Sequence, residues 1–250
     1  MNKRRRHLKN HRKNDPTQHL IRITYYQIDL TRVKSLQHLD HQQIVAMPSR
    51  YRAQFINSLS GFKSANLIAT ANSMGQTNVA IFSSVVHLGA SPALIGFIMR
   101  PDSVERHTLE NIKQTQQYTI NQVNDRFWQA AHQTSARYLR DECEFEQCGL
   151  STTYLKGVTA PFVKESQLKY ALTLKEILPI SHNNTLLIIG EVTDVICKQS
   201  AIKNDGYIDI ESLNTVTISG LDSYHISHRL SRLTYAKPHV TPNKISLNGE

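Results

Sequence analysis

The sequence predicts a mainly β fold with inserted helices, arranged as a closed antiparallel barrel. Three observations carry that prediction. Between Asn66 and Pro101, three short apolar runs are separated by two turn clusters, one around Gly75 and one from Gly89 to Pro92, as in an antiparallel meander. Leu168, Tyr170, Leu172 and Leu174 alternate with Lys169, Ala171, Thr173 and Lys175, the two-residue period of a half-buried strand. No glycine-rich phosphate loop is present: Gly89 and Gly96 make no GxGxxG and do not precede a helix, and there is no GxxxxGK[ST]. Closure of the sheet would also remove exposed strand edges.

The remaining elements follow in order. Residues 19 to 33 read as partly extended and lead into a polar segment rich in His and Gln. Pro48 to Ile56 reads as a short helix. After the three apolar runs, Pro101-Asp102-Ser103 introduces another helix, with Asp102 at the N-cap, Glu105 three residues on, and Val104, Thr108 and Ile112 at helical spacing. Gln117 to Val123 is a strand with Tyr118 and Ile120 on one face and Thr119 and Asn121 on the other. Phe127 to Ser135 and Leu139 to Gln147 read as two short helices, the second stopped by Gly149. Thr185 to Cys197 is a longer strand, and Val216 to Ile218 and the segment ending at Pro238 complete the pattern. This divides the chain into a basic tail (1–16), an N-terminal extension (17–49), the main domain (50–238) and a loose C-terminal end (239–250).

The formal net charge of +9 is concentrated in one place. Lys3, Arg4, Arg5, Arg6, Lys9, Arg12 and Lys13 supply seven positive charges with no acid among them, leaving +2 for all other residues. Such a run can attract RNA or an anionic surface. Its composition reads instead as a solvated, disordered extension, and it lacks the interleaved aromatics that single-strand recognition favours. Nucleic acid is therefore not the expected partner. No apolar stretch approaches the roughly 20 residues of a membrane helix, and no apolar segment follows the basic start as a secretion signal would require. A cytoplasmic protein with no membrane contact is expected.

Three cysteines, Cys143, Cys148 and Cys197, form no CxxC spacing, which argues for reduced thiols and against structural zinc. The pairs His38/His41 and His225/His228 lack neighbouring ligands of the zinc-enzyme kind. GxSxG is missing, so a serine-hydrolase elbow has no support. A chain without a catalytic dyad can still be an enzyme when a cofactor carries the electrons.

Several blocks, taken together, carry a resemblance. They are Asn57-Ser-Leu-Ser-Gly-Phe-Lys63, Asn78-Val-Ala-Ile-Phe-Ser-Ser-Val85, Pro92-Ala-Leu-Ile-Gly96 with Arg100-Pro101, and His107-Thr-Leu-Glu-Asn-Ile112. Tyr118-Thr-Ile-Asn121, Glu144-Phe-Glu-Gln-Cys-Gly-Leu150, Pro161-Phe-Val-Lys-Glu-Ser166, Gly190-Glu-Val192, Gly220-Leu-Asp-Ser-Tyr224 and Tyr235-Ala-Lys-Pro238 follow in order. From about Arg50 to Pro238 the chain resembles the flavin reductase-like proteins with an FMN-binding split β-barrel, the group that includes flavoredoxin. The basic tail is not part of that domain, and Cys148 stands where a small residue such as alanine is expected.

The resemblance implies a split antiparallel barrel, a homodimer, FMN at the edge of the barrel, and NAD(P)H as the reductant. It implies NAD(P)H-dependent flavin reduction or, alternatively, electron carriage without a nicotinamide site, in either case with an oxygenase or redox partner. Placed on this sequence, Phe82 belongs to the strand end whose backbone reads the flavin ring, and the Ser83 and Ser84 hydroxyls can donate to phosphate or ribityl oxygens. Arg100 can grip phosphate bidentately. Arg106, His107 and Thr108 sit in the first turns of a helix, where the dipole favours an anion. Because Asp102 would already cap that helix, the side chains of Arg100, His107 and Thr108 are expected to meet the phosphate more than the bare helix end does. Asn121 and Ser135 complete the candidate cofactor contacts. No side chain is assigned as an acid or base, and no metal is expected.

Overall fold

The structure is a computed structural model that describes residues 36–101 and 106–250. The basic tail, the extended segment at 19 to 33, and Asp102, Val104 and Glu105 lie outside the described residues. The chain separates into two compact units, Met1–Met47 and Pro48–Glu250. In the first, helix α1 (His41–Ala46) starts at a reciprocal capping box between Asp40 and Gln43.

The second unit begins with α2 (Ser49–Leu59), which ends three residues beyond the predicted helix. The strands β1 (Lys63–Ser64), β2 (Asn66–Ala71), β3 (Thr77–Phe82), β4 (Val86–Ala90) and β5 (Ala93–Met99) follow. Then come α3 (His107–Thr115), β6 (Gln117–Gln122), α4 (Trp128–Gln133), α5 (Glu144–Gln147), β7 (Thr152–Thr153) and β8 (Phe162–Val163). The long strands β9 (Leu168–Ile180) and β10 (Thr185–Cys197) are followed by β11 (Val216–Ser219), β12 (Ser223–Ile226), β13 (Arg232–Leu233) and β14 (Lys244–Ile245).

The three apolar runs of the Asn66–Pro101 segment contain four strands. The first turn is a β2–β3 hairpin in which the Asn72 side chain accepts from the N–H groups of Met74 and Gln76, and Gly75 takes the left-handed conformation (φ +83°) that its position requires. The second turn joins β4 to β5. The segment is not one continuous meander, because β3 and β5 do not pair: β5 lies between β4 and β10.

The main sheet has seven strands in the order β3-β2-β6-β9-β10-β5-β4. Its outermost strands, β3 and β4, are consecutive in the chain and separated only by residues 83–85. That connection reaches at most about 14 Å, whereas a flat seven-stranded sheet is roughly 29 Å across. The sheet must therefore curl until its edges meet. It does not close by a backbone ladder, which corrects the expectation of a closed barrel. Ser84 bridges the seam instead: its hydroxyl donates to the Ile98 carbonyl (3.2 Å) and accepts from the Ile98 N–H (3.1 Å).

Alternation along β2 and β6 divides the core. Ile68, Tyr118 and Ile120 join Phe97, Met99, Leu172 and Ile188 inside the curl, whereas Leu67 and Ala69 face a second cluster with Val79, Phe127, Phe145, Val163 and Ile218. The Tyr118 ring lies over Gly190, where a Cβ would come within 2.2 Å of the phenolic oxygen, so only glycine fits. The predicted faces of β6 are those observed, but the second face is covered. Thr119 donates to the Pro161 carbonyl (2.6 Å), and the Asn121 Oδ1 accepts from the Val163 N–H (2.9 Å). The start of β9 is also buried on both faces rather than half-buried, because Lys169 turns its ammonium onto the Val163 carbonyl (2.9 Å).

Two further expectations are corrected. Only Glu144–Gln147 of the predicted 139–147 helix is helical. The C-terminal residues do not trail loose: β14 pairs with β13, and the Arg232 guanidinium binds the Leu247 carbonyl.

Candidate functional site

A cleft of about 920 Å³ opens along the outer edge of β3. Its walls are β3 and the following residues up to Ser84, the end of β5 with Arg100, the start of α3, the segment from His132 to Tyr138, and residues of α2 and β12.

The β3 wall supplies backbone. β3 pairs only with β2. The Val79 N–H points away from β2, toward the buried Glu144 carboxylate (3.4 Å). By the two-residue repeat of a strand, the N–H and C=O of Ile81 project from the same free edge. A planar ligand with donors and acceptors on its rim can be read there without any side chain.

The α3 wall supplies positive charge. The helix begins at His107 with Arg106 at its N-cap, and among the described residues no side chain caps it. The first-turn N–H groups of Thr108 and Leu109 have no partner inside the helix and are directed out of its N-terminal end. Arg100, Arg106 and Arg137 all line the cleft. Burial first, and then the neighbouring Arg100 and Arg137 guanidiniums, pull Arg106 below the usual arginine range. Arg106, with the cations of Arg100 and Arg137 within repelling distance of it, and the N-terminus of α3 beside them form a site that a dianion stabilises. Arg140, by contrast, is already paired with Glu110.

The carboxyl of Glu144 sits between the two walls. Burial pushes it up, and hydrogen bonding and the nearby His107 pull it part of the way back. The Asn78 amide is satisfied when its nitrogen donates to the Glu144 Oε1 (3.1 Å) and its oxygen accepts from the Thr108 hydroxyl (2.9 Å) and the Val79 N–H (3.2 Å). Opposite, the Tyr224 Oη lies 3.0 Å from the His132 Nδ1, and its ring is flanked by Trp128 at 5.2 Å. Burial, with Asp222 adding to it, pushes the Tyr224 phenol up to about 12.

The structure brings Phe82, Ser83, Ser84, Arg100, His107, Thr108 and Ser135 together in this one cleft. Two of them do something other than expected. The Ser84 hydroxyl is occupied by Ile98 at the seam, so it shapes the cleft instead of offering a donor. The Thr108 hydroxyl serves Asn78, so its contribution to an anion is the backbone N–H at the helix start. Asn121 does not line the cleft. It is fully buried, with its amide bonded to Leu67 and Thr119 and its oxygen to Val163. Arg137, Asn78, His132 and Tyr224 are cleft residues that the sequence reading missed as candidates. Asn78 and Tyr224 lie inside the blocks quoted above, whereas Arg137 had no local signal beyond its neighbour Ser135.

Among the described residues no cluster of His, Cys, Asp and Glu could hold a metal ion, and no helix is long and apolar enough to cross a membrane. The donor set fits a phosphorylated, planar, polyhydroxylated ligand: guanidiniums and helix N–H groups at one wall, and a free strand edge and an aromatic ring at the others.

The comparisons with known proteins agree with this architecture. The family model described as "Flavin reductase like domain" matches residues 59–211. A crystal structure from Shewanella frigidimarina NCIMB 400, provisionally named a flavin reductase with split barrel domain, is 53% identical, with a TM-score of 0.78, covering 80% of this chain and 100% of that one. Nitrilotriacetate monooxygenase component B from Bacillus cereus shares the fold at 17% identity and a TM-score of 0.70, covering 80% of this chain and 99% of its own. An uncharacterized protein of Halalkalibacterium halodurans is 26% identical over 156 residues, 60% of this chain and 74% of its own length. With a split sheet, an open strand edge and a family match across most of its main unit, this chain belongs to the flavin reductase-like family.

Proposed function

We propose that the protein is an FMN-binding oxidoreductase that uses NAD(P)H to reduce the flavin. The observation that carries this reading is the convergence of Arg100, Arg106 and Arg137 at the start of α3, beside the free edge of β3. Bound flavin would supply the redox chemistry, accepting a hydride from the nicotinamide at its N5. The chain's own residues bind and orient. The guanidiniums of Arg100 and Arg106 and the N–H groups of Thr108 and Leu109 hold a terminal phosphate dianion. The Ile81 backbone and the Ser83 hydroxyl meet the polar rim of the ring and the ribityl chain, donating to oxygens that gain charge on reduction. A phosphate monoester, carrying two charges on one group, matches the three-arginine wall better than a diester does, which favours FMN over FAD.

The relation in fold to a monooxygenase component supports a role in passing reduced flavin to an oxygenase or redox partner; we place that role in a cytoplasmic homodimer, and light scattering checks the dimer. The deciding experiment is a visible spectrum of the purified protein with FMN or FAD added, followed by anaerobic NADH and then NADPH. Bleaching of the flavin band by either nucleotide is expected. Flavin binding without bleaching would reduce the protein to an electron carrier, and no binding of either flavin would sink the reading.

A further inference from the structure

The proposed function leaves unused one feature of the cleft, the aromatic group at its foot. Tyr224 is only partly exposed, and its ring is held by two neighbours: Trp128 at 5.2 Å, and His132, whose ring lies near perpendicular at 5.6 Å and whose Nδ1 is 3.0 Å from the Tyr224 hydroxyl. Such bracing fixes both the position and the tilt of the ring. The fold does not need a phenol there for satisfaction, because the group opens into the cleft. Tyr224 also packs against the same apolar cluster as Ile81, whose backbone forms the free edge of β3. Ile81 and Tyr224 also line the same cleft, so a planar ligand whose rim meets the Ile81 backbone has the Tyr224 ring within that cleft to lie against.

We infer that Tyr224 is a stacking floor for the isoalloxazine, with His132 and Trp128 as the residues that position it, leaving the other face of the flavin for the electron donor. This rests on the flavin-binding reading above. Face-to-face or offset contact between a flat heteroaromatic and a tyrosine is favourable and indifferent to the ligand's phosphate. The contribution of Tyr224 should therefore be the same for FMN as for lumiflavin, which carries the ring alone.

The test uses the full chain, with FMN and lumiflavin as probes. Tyr224→Leu is expected to weaken both ligands about tenfold, the size of a single lost stacking contact, whereas Tyr224→Phe, which keeps the ring, stays within about threefold of the parent. A role confined to stability would lower the melting temperature without this ring-specific split. Labelling with 3-fluorotyrosine adds a readout that survives if Tyr224→Leu fails to fold: the fluorine signal absent from Tyr224→Phe should move upfield on addition of lumiflavin. If the parent protein binds both ligands, and Tyr224→Leu matches it or that signal stays in place, the inference is wrong and the function stands. If the parent binds neither ligand, the flavin reading falls and takes the inference with it.

Discussion

Strand β6 and the segment from His132 to Tyr138 both carry polar side chains, and they use them in opposite ways. In β6, Thr119 and Asn121 are fully buried, and their polar atoms are bonded to Pro161, Val163 and Leu67. Between His132 and Tyr138 most side chains face open space, and Arg137 adds its positive charge beside Arg106 at the cleft. A polar group satisfied inside the protein stabilises the fold. A charge held beside like charges at an open cleft raises the free energy of the empty site, and the binding of an anion recovers it. The difference separates residues that build the barrel from residues that use it.

The largest effect expected is on the barrel side. Phe97 is fully buried and meets Phe82 and Tyr118 edge-on. Phe97→Ala should cost about 3–5 kcal/mol in urea denaturation; a loss under 1 kcal/mol would mean that the curl is not a packed core. Next comes the cleft. Arg100→Ala and Arg106→Ala should each weaken FMN about 10–100-fold, the equivalent of one charge-assisted hydrogen bond. Riboflavin, which lacks the phosphate, should bind as before, and the melting temperature should hold or rise as repulsion is relieved. Equal losses for riboflavin and FMN would move the anion site elsewhere.

Asn121→Ala sharpens the distinction from the other direction. Removing its amide leaves the Val163 N–H without its acceptor, at a cost of about 1–3 kcal/mol, and FMN affinity measured on the folded protein should not change. A tenfold loss of FMN affinity would return Asn121 to the site. The smallest effect is at Glu144, whose carboxyl is pushed up by burial. A raised carboxyl binds its proton more tightly in the folded state than in the unfolded state. Its contribution is therefore fully present below the unfolded value and is lost as pH rises through the folded one. Glu144→Gln should match the parent at low pH and be slightly more stable, by less than about 1 kcal/mol, at neutral pH. A variant less stable than the parent at neutral pH would show that the carboxylate is needed there as an acceptor for Asn78 and Val79.

Much of this was legible in the sequence because it depends on neighbours in the chain. The two-residue period fixed the faces of β6, and the apolar stretch Thr185–Cys197 is the strand observed. Turn residues marked both hairpins, and the apolar and turn pattern led to a mainly β sheet. The basic and hydroxyl residues at the end of β5 and the start of α3 marked one wall of the cleft, and ordered blocks carried the family resemblance. What could not be read depends on contacts between residues far apart in the chain. The sheet order that sends β3 and β4 to opposite edges is set by which strands cover which apolar face, and three connecting residues then force the curl. The hydroxyl of Ser84 is diverted to Ile98, fourteen positions away, and that of Thr108 to Asn78, thirty away. Asn121 is drawn into the core because β8 folds over it. The amino-acid order sets what each side chain can donate or accept, but only the packed structure brings a partner within hydrogen-bond reach, and a hydrogen bond decays over tenths of an ångström. For this reason the chemistry of the cleft could be anticipated, while the division of its residues between fold and ligand could not.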